Sequence, residues 1–215
     1  MKIIKPAAAV AAAVLLTAAT ARAERWISLS SWAYDEVSDF VSARLLPEEF
    51  NGITDYTRPV TRGEFAALAW SVIDKSAMVA MDDKTAYHRF DDVDENSPAN
   101  KLYAINVTQG YFRGNYSKPV FCPDNTITRE DAGVMVNRII SQVYWQRVRR
   151  AYHDEEYLYN NFSDYKEMSD YALESVGYLL DYGIIEGNSG RLEPKSKLSI
   201  QEAIVMLDRM YKVLP

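Results

Sequence analysis

The sequence predicts an all-α protein built from three helix-loop-helix repeats, and three observations carry that prediction. A short phrase is written three times: Thr61-Arg62-Gly63-Glu64, Thr128-Arg129-Glu130-Asp131 and Ser199-Ile200-Gln201-Glu202. Counted from each Ser/Thr, the residues four, seven, eight, eleven and twelve on are apolar. They read Phe65, Leu68, Ala69, Val72, Ile73, then Ala132, Met135, Val136, Ile139, Ile140, then Ala203, Met206, Leu207, Met210, Tyr211. That spacing is the buried stripe of an amphipathic helix. Upstream, companion signals recur in a fixed order, and recurrence of this kind defines an architecture before any single residue does. The units are read as 26–82, 88–150 and 160–215.

Residues 1–23 are expected to be removed as a signal peptide. Lys2 and Lys5 give a basic start, Pro6 to Ala21 is an Ala/Val/Leu run, and Ala21-Arg22-Ala23 is an A-x-A cleavage signal. The run is about 16 residues, short of the roughly 20 that a membrane span needs, and no other stretch reads as a span. Those residues carry three basic groups and no acids, so the formal charge of −6 becomes −9 once they are gone. An acidic chain of this kind is a poor partner for nucleic acid or an anionic bilayer. With the single cysteine Cys122 no internal disulfide can form, so a hydrophobic core must hold the fold.

The first leading helix is expected from about Trp32 to Leu45, with Asp55-Tyr56-Thr57-Arg58-Pro59 closing the loop to the first capped helix at 62. Each of the three phrases has the logic of a capping box: the Ser/Thr accepts from a first-turn amide and the acid three residues on reaches back. In the second unit, Phe90-Asp91-Asp92 leads to a helix opened by Ser97-Pro98. Gly110-Tyr111-Phe112-Arg113-Gly114 and Phe121-Cys122-Pro123 then precede the capped helix at 129. Its extension, Tyr144-Trp145-Gln146-Arg147-Val148-Arg149-Arg150, is basic and aromatic, and a Tyr-rich connection through Tyr157 and Tyr159 follows. The third unit repeats the order as Phe162-Ser163-Asp164, Gly183-Ile184-Ile185-Glu186-Gly187 and Leu192-Glu193-Pro194 before the helix at 200. The first Gly of each pair is expected to end a helix in the left-handed conformation. The second would allow close backbone approach.

These residues resemble the S-layer homology (SLH) family, whose repeats open with an F-x-D-V-like start and continue through a G-x-x-x-G-like turn, an F-x-P loop and a T-R-A-E-like helix start. Phe90-Asp91-Asp92-Val93, Gly110 to Gly114, Phe121 to Pro123 and Ile127-Thr128-Arg129 match in order. The resemblance covers the chain beyond residue 23 as three tandem repeats. It implies an all-α fold in which three repeats close into a pseudo-threefold trimer. It also implies non-covalent binding to a bacterial cell-wall secondary polysaccharide, commonly one bearing pyruvate-ketal sugars, in the grooves between repeats. The family's motif Arg corresponds to Arg62 and Arg129, whereas the third copy has Ile200, so at most two grooves are expected to bind. Gly63 in the first copy and Glu130-Asp131 in the second depart from the family's small residue and Glu.

A physical argument stands beside the resemblance. A guanidinium at a helix N-terminus faces the unfavourable end of the dipole, which makes sense if an anion binds there between Arg and free amides. The candidate ligand-binding set is therefore Arg62 and Arg129 with the adjacent Thr61 and Thr128, the turn residue Gly114, and the aromatic platforms Trp32 and Tyr103. Tyr111 and Arg113 border the same turn. The competing structural account makes the aromatics core and the arginines solvated surface.

Asp92-Val93-Asp94-Glu95-Asn96 has the start of a calcium loop but lacks its Gly and closing Glu. His88 and His153 have no partners at metal-ligand spacing, and no catalytic motif is present. The expectation is an exported, non-enzymatic protein of the cell wall or cell surface, with no cofactor or metal. Its predicted partner is wall polysaccharide, with an envelope protein as a further partner docking around 144–159. The alternative is a protein-interaction or assembly module of the envelope that has lost glycan binding.

Overall fold

The computed structural model describes residues 28–76, 89–110, 119–144 and 153–213. The proposed signal peptide, Tyr111, Arg113, Gly114 and residues 145–152 of the 144–159 segment lie outside them. The described chain is helical, with only isolated β-bridges between loops. A 3₁₀ turn at Ser31–Ala33 runs into α1 (Tyr34–Ser42), followed by α2 (Arg62–Lys75), α3 (Pro98–Ala104), α4 (Arg129–Tyr144), α5 (Glu155–Asn161), α6 (Asp170–Asp181) and α7 (Ile200–Val213). Helices α2, α4 and α7 start where the three phrases put them. The Tyr-rich connection contains a helix, α5. Asp154 caps it by accepting from the Tyr157 N–H at 3.0 Å, and Glu155 and Glu156 favour the positive end of the short helix.

The caps are chemically unequal. Thr61 Oγ1 accepts from Glu64 N at 3.2 Å while Glu64 Oε2 accepts from Thr61 N at 2.9 Å. Ser199 and Glu202 reciprocate in the same way at 3.4 and 2.8 Å. In the second copy Thr128 Oγ1 accepts from Asp131 N at 3.2 Å, but the Asp131 carboxylate accepts from the Tyr171 hydroxyl at 2.8 Å. Asp is one methylene shorter than the Glu that closes the other two boxes.

The residues just before the three capping positions bond to one another in a closed cycle. Val60 N donates to Leu198 O at 2.8 Å, Leu198 N to Ile127 O at 3.0 Å, and Ile127 N to Val60 O at 3.2 Å. All three side chains are buried. Each capped helix then packs against the leading helix of the next unit: α2 on α3, α4 on α6, and α7 back on α1, with α7 also touching α2 and α4. The core is continuous through Phe40, Phe65, Phe90, Ile127, Ile139, Leu179 and Ile204.

The structure corrects one register. Gly183 ends α6 with a φ of +64°, and Asn106 does the same after α3 with a φ of +59°. Their neighbours bond alike: Ile184 N to Leu179 O at 2.9 Å and Val107 N to Leu102 O at 2.8 Å. Asn tolerates the left-handed conformation through its short polar side chain. The turn equivalent to Gly183–Gly187 is therefore Asn106–Gly110, not Gly110–Gly114. Gly110 and Gly187 are the matching pair, since a Cβ on either would fall 2.5 or 2.4 Å from a ring carbon of Phe90 or Phe162. The leading helix of the second unit is shorter than its counterpart, and a longer turn-to-loop stretch compensates, which is how the Phe-to-Gly spacing misled.

Candidate functional site

Two cavities lie between units, and the same stations line both. One, of about 390 Å³, is lined by Arg62, Gln109, Gly110, Asp131, Val134, Met135, Arg138 and Tyr171. The other, of about 500 Å³, includes Arg129, Glu186, Gly187, Glu202, Val205, Met206, Arg209 and Trp32. Arg62 and Arg129 directly follow a capping Thr, and Arg138 and Arg209 stand ten residues after a capping residue. Val134-Met135 and Val205-Met206 are the apolar floor six and seven residues after it. Each groove thus takes its arginine from one unit, its turn and wall helix from the next, and an aromatic from the third.

Arg62 is only 7% exposed. Its Nε donates to Phe121 O at 2.9 Å and its Nη2 approaches Gln109 O at 3.5 Å, and its guanidinium lies 4.7 Å from the centre of the Phe121 ring. Arg129 reaches the equivalent turn, donating to Glu186 O at 3.0 Å, and pairs with Glu202 at 3.3 Å. These carbonyls hold the guanidinium planes at the groove wall. Arg138 donates to Val107 O at 3.3 Å. Burial pulls its pKa below the ordinary arginine value, partly opposed by the nearby Asp131 charge. Arg209 is paired with Glu36 at 3.2 Å and Glu186 at 3.4 Å.

The amides at the helix starts are already used. Arg62 N and Gly63 N donate to Asn125 O and Pro123 O, and Arg129 N and Glu130 N to Ser196 O and Pro194 O, all within 2.8–3.0 Å. Thr61 and Thr128 complete these first turns as caps. The expectation that free helix-terminal amides join the arginine on an anion is therefore corrected: loop-to-helix bonding between units consumes them. What a ligand meets is side chain.

Trp32 is 54% exposed and lines the Arg129 cavity. Tyr171, absent from the sequence-derived set, is 58% exposed and occupies the same station at the Arg62 cavity. Each stands two residues after a Ser whose N–H donates across the interface, Ser30 to Gln201 Oε1 and Ser169 to Glu130 Oε2, both at 2.9 Å. Burial and the bond to Asp131 push the Tyr171 phenol well above its ordinary pKa, so it remains a donor. Tyr103 sits elsewhere: its ring meets Phe90 edge-on at 5.6 Å and carries the Arg89 guanidinium at 5.2 Å. It packs against the core, and it is not among the residues lining either cavity. Gly114 lies outside the described residues, and by the corrected register Gly110 fills its intended role.

At the third interface the corresponding positions carry Ile200, Ser71 and Ala99. Ile200 and Ala99 are buried, and Ser71 Oγ donates to Leu45 O at 2.7 Å. These three positions carry neither the arginines nor the aromatic. Arg138, Arg209 and Tyr171 could have been found from sequence, because their distance from the capping or leading Ser/Thr is shared between copies.

The family model of the S-layer homology domain matches residues 161–204. This segment is similar to an S-layer homology domain. It spans Phe162 and Asp164, α6, the Gly183–Gly187 turn, the Leu192-Glu193-Pro194 loop and the first residues of α7. Asp164 holds that SLH loop, accepting from Leu192 N and Glu193 N at 2.9 and 2.8 Å, and Asp92 does the same for Phe121 N and Cys122 N, both at 2.7 Å. No curated protein matches the chain. An SLH domain implies a cell-surface protein that can bind cell-wall polysaccharide. Among the described residues no helix is long and apolar enough to cross a membrane, and no three His, Cys, Asp or Glu residues are grouped to hold a metal.

Proposed function

We propose that the chain is an exported, non-enzymatic wall-binding protein made of three SLH repeats related by a pseudo-threefold axis, and that it holds an acidic cell-wall polysaccharide in two of its three inter-repeat grooves. The single observation that carries the reading is the repetition of one groove constellation. Arg62, Arg138 and Tyr171 recur as Arg129, Arg209 and Trp32, while the third interface has Ile200, Ser71 and Ala99. Paired guanidiniums offer planar forks for a carboxylate, and an exposed aromatic face suits the apolar side of a sugar ring. The cycle of backbone bonds through Val60, Ile127 and Leu198 supports the threefold arrangement. A binding role is favoured over hydrolysis because two of the groove carboxylates, Glu202 and Glu186, are taken up in ion pairs with Arg129 and Arg209, whereas hydrolysis needs a carboxyl pair set across the bond to be cut.

The test is co-sedimentation of the protein with purified cell walls, untreated and stripped of secondary polysaccharide. Retention on untreated walls that disappears on stripping is the expected result. The Arg62→Gln/Arg129→Gln double variant should also remain in the supernatant while keeping its helical circular dichroism. Equal recovery in the supernatant with both wall preparations sinks the reading.

A further inference from the structure

The two grooves share stations but not charge. Around Arg62 the described lining carries Arg62 and Arg138 against the single carboxylate of Asp131, and Asp131 already accepts from Tyr171 at 2.8 Å. Around Arg129 the lining carries Arg129, Arg191 and Arg209 against Glu186, Glu193 and Glu202. Most of those charges are locked to one another. Arg129 meets Glu202 at 3.3 Å and Arg209 meets Glu186 at 3.4 Å and Glu36 at 3.2 Å. Arg191 lies 3.6 Å from the buried Asp164 and 3.8 Å from Glu167. A carboxylate entering the Arg62 groove meets net positive charge in a partly desolvated cavity, where attraction is strong. The same group entering the Arg129 groove must displace a carboxylate already in place and would face its repulsion. An uncharged sugar has no such conflict: its hydroxyls can donate to the glutamates and accept from the guanidiniums. The half-exposed Trp32 indole at the rim offers its ring a stacking face.

We propose that the grooves are specialised, with the Arg62 groove taking the carboxylate-bearing sugar of a polysaccharide and the Arg129 groove taking an uncharged hexose. This rests on the groove reading above and goes further by giving each groove its own ligand chemistry. A repeating polymer with alternating acidic and neutral residues would then engage the two grooves with different sugars.

Calorimetric titration of the protein with two probes tests it: a hexoside carrying a 4,6-pyruvate ketal, and the same hexoside without the ketal. The acidic probe should bind one per chain and weaken about tenfold or more in Arg138→Gln. The neutral probe should weaken by a similar factor in Trp32→Ala. Glu186 is exposed, so Glu186→Gln leaves the core untouched even if Arg138→Gln fails to fold. It leaves Arg209 paired with Glu36 alone and the groove lining with net positive charge, and should raise the acidic probe's stoichiometry toward two. Two equivalent acidic sites in the unaltered protein overturn the proposal. So does an acidic probe weakened as much by Trp32→Ala as by Arg138→Gln, or a stoichiometry unmoved by Glu186→Gln. If neither probe nor extracted wall polysaccharide binds, the groove reading itself falls, an outcome separate from those three.

Discussion

Glu130 is 3% exposed, and its carboxylate accepts from Ser169 N at 2.9 Å, Ser169 Oγ at 3.0 Å and Lys195 Nζ at 2.5 Å. It thereby caps the leading helix of the next unit, a task Gln201 performs for Ser30 and Gly63, lacking a side chain, cannot. Burial alone would raise its pKa, but Lys195 and the two Ser169 donors outweigh burial and hold it below the ordinary 4.5. Glu64, gripped by Arg58 and the Thr61 cap, is lowered in the same way against burial. A lowered carboxylate pKa contributes stability that is complete above the ordinary value and lost as pH falls through the folded one. The urea midpoint should therefore drop on acidification below about pH 4.5. Glu130→Gln should cost about 2 kcal/mol at neutral pH and leave a shallower acid limb. An unchanged limb would show that Glu130 is not its source. The glycines give a second comparison. Gly110→Ala and Gly187→Ala drive a Cβ into a phenylalanine ring and should cost several times more than Gly183→Ala, whose Cβ meets nothing and whose φ of +64° should cost only about 1 kcal/mol. Asn106→Gly should be neutral or slightly stabilising, since Gly adopts that left-handed φ more readily. Thermal melts of the four variants decide the order.

The capped helices were legible to the residue because a capping box is a local code: Ser/Thr, acid and stripe lie within one helix and need nothing else. The leading helices were less so. In α3 the terminating signal is Asn106 rather than Gly, and Gly110, four residues later, mimics a helix-ending glycine at nearly the spacing of Gly183 from Phe162. Arg62 and Arg129 were found because they sit inside the code. Arg138 and Arg209 were missed because, one at a time, an arginine on the flank of an amphipathic helix looks like ordinary solvated surface. Only folding brings each beside a neighbour's cap. Tyr171 was missed for the same reason. At the junction of α1 with α7, Arg209 pairs with Glu36 and Lys212 with Asp39 at 2.7 Å, and Lys212 also lies 2.8 Å from the buried Asp208. Burial raises the Asp208 pKa despite Lys212, so this group costs stability increasingly as pH rises from the ordinary carboxylate value, with the full cost present above the folded one. Asp208→Asn should leave neutral-pH stability unchanged or raise it by about 1 kcal/mol, as read from urea midpoints. A large loss would mean that the ion pair outweighs its desolvation.

Across the molecule, α1 packs on α7, so that the two extremes of the described chain meet, and in the proposed threefold arrangement every unit has two neighbours. An open repeat array can lose an end unit while the rest stays folded, whereas in the proposed closed arrangement removing one unit strips an interface from both others. Denaturant unfolding should accordingly be one transition, coincident by tryptophan fluorescence and by helical circular dichroism. Two separated transitions would argue for an open array. Installing the missing guanidinium tests the closure differently. Ile200 is wholly buried, so Ile200→Arg should cost several kcal/mol and lower the melting temperature without adding a third ligand equivalent. The cycle through Val60, Ile127 and Leu198 is made entirely of peptide groups, and so are the bonds from each loop to the start of the preceding capped helix. Any residue supplies the carbonyls, as Pro123 and Pro194 do, and any except proline the N–H groups. A lineage could therefore rewrite the side chain after each cap, arginine to isoleucine or back, without breaking that cycle of backbone bonds, provided the cavity beside it filled or emptied in step. Mutational drift and selection can then act on one groove at a time, and a binding surface built this way can change its ligands piecemeal while its frame stays still.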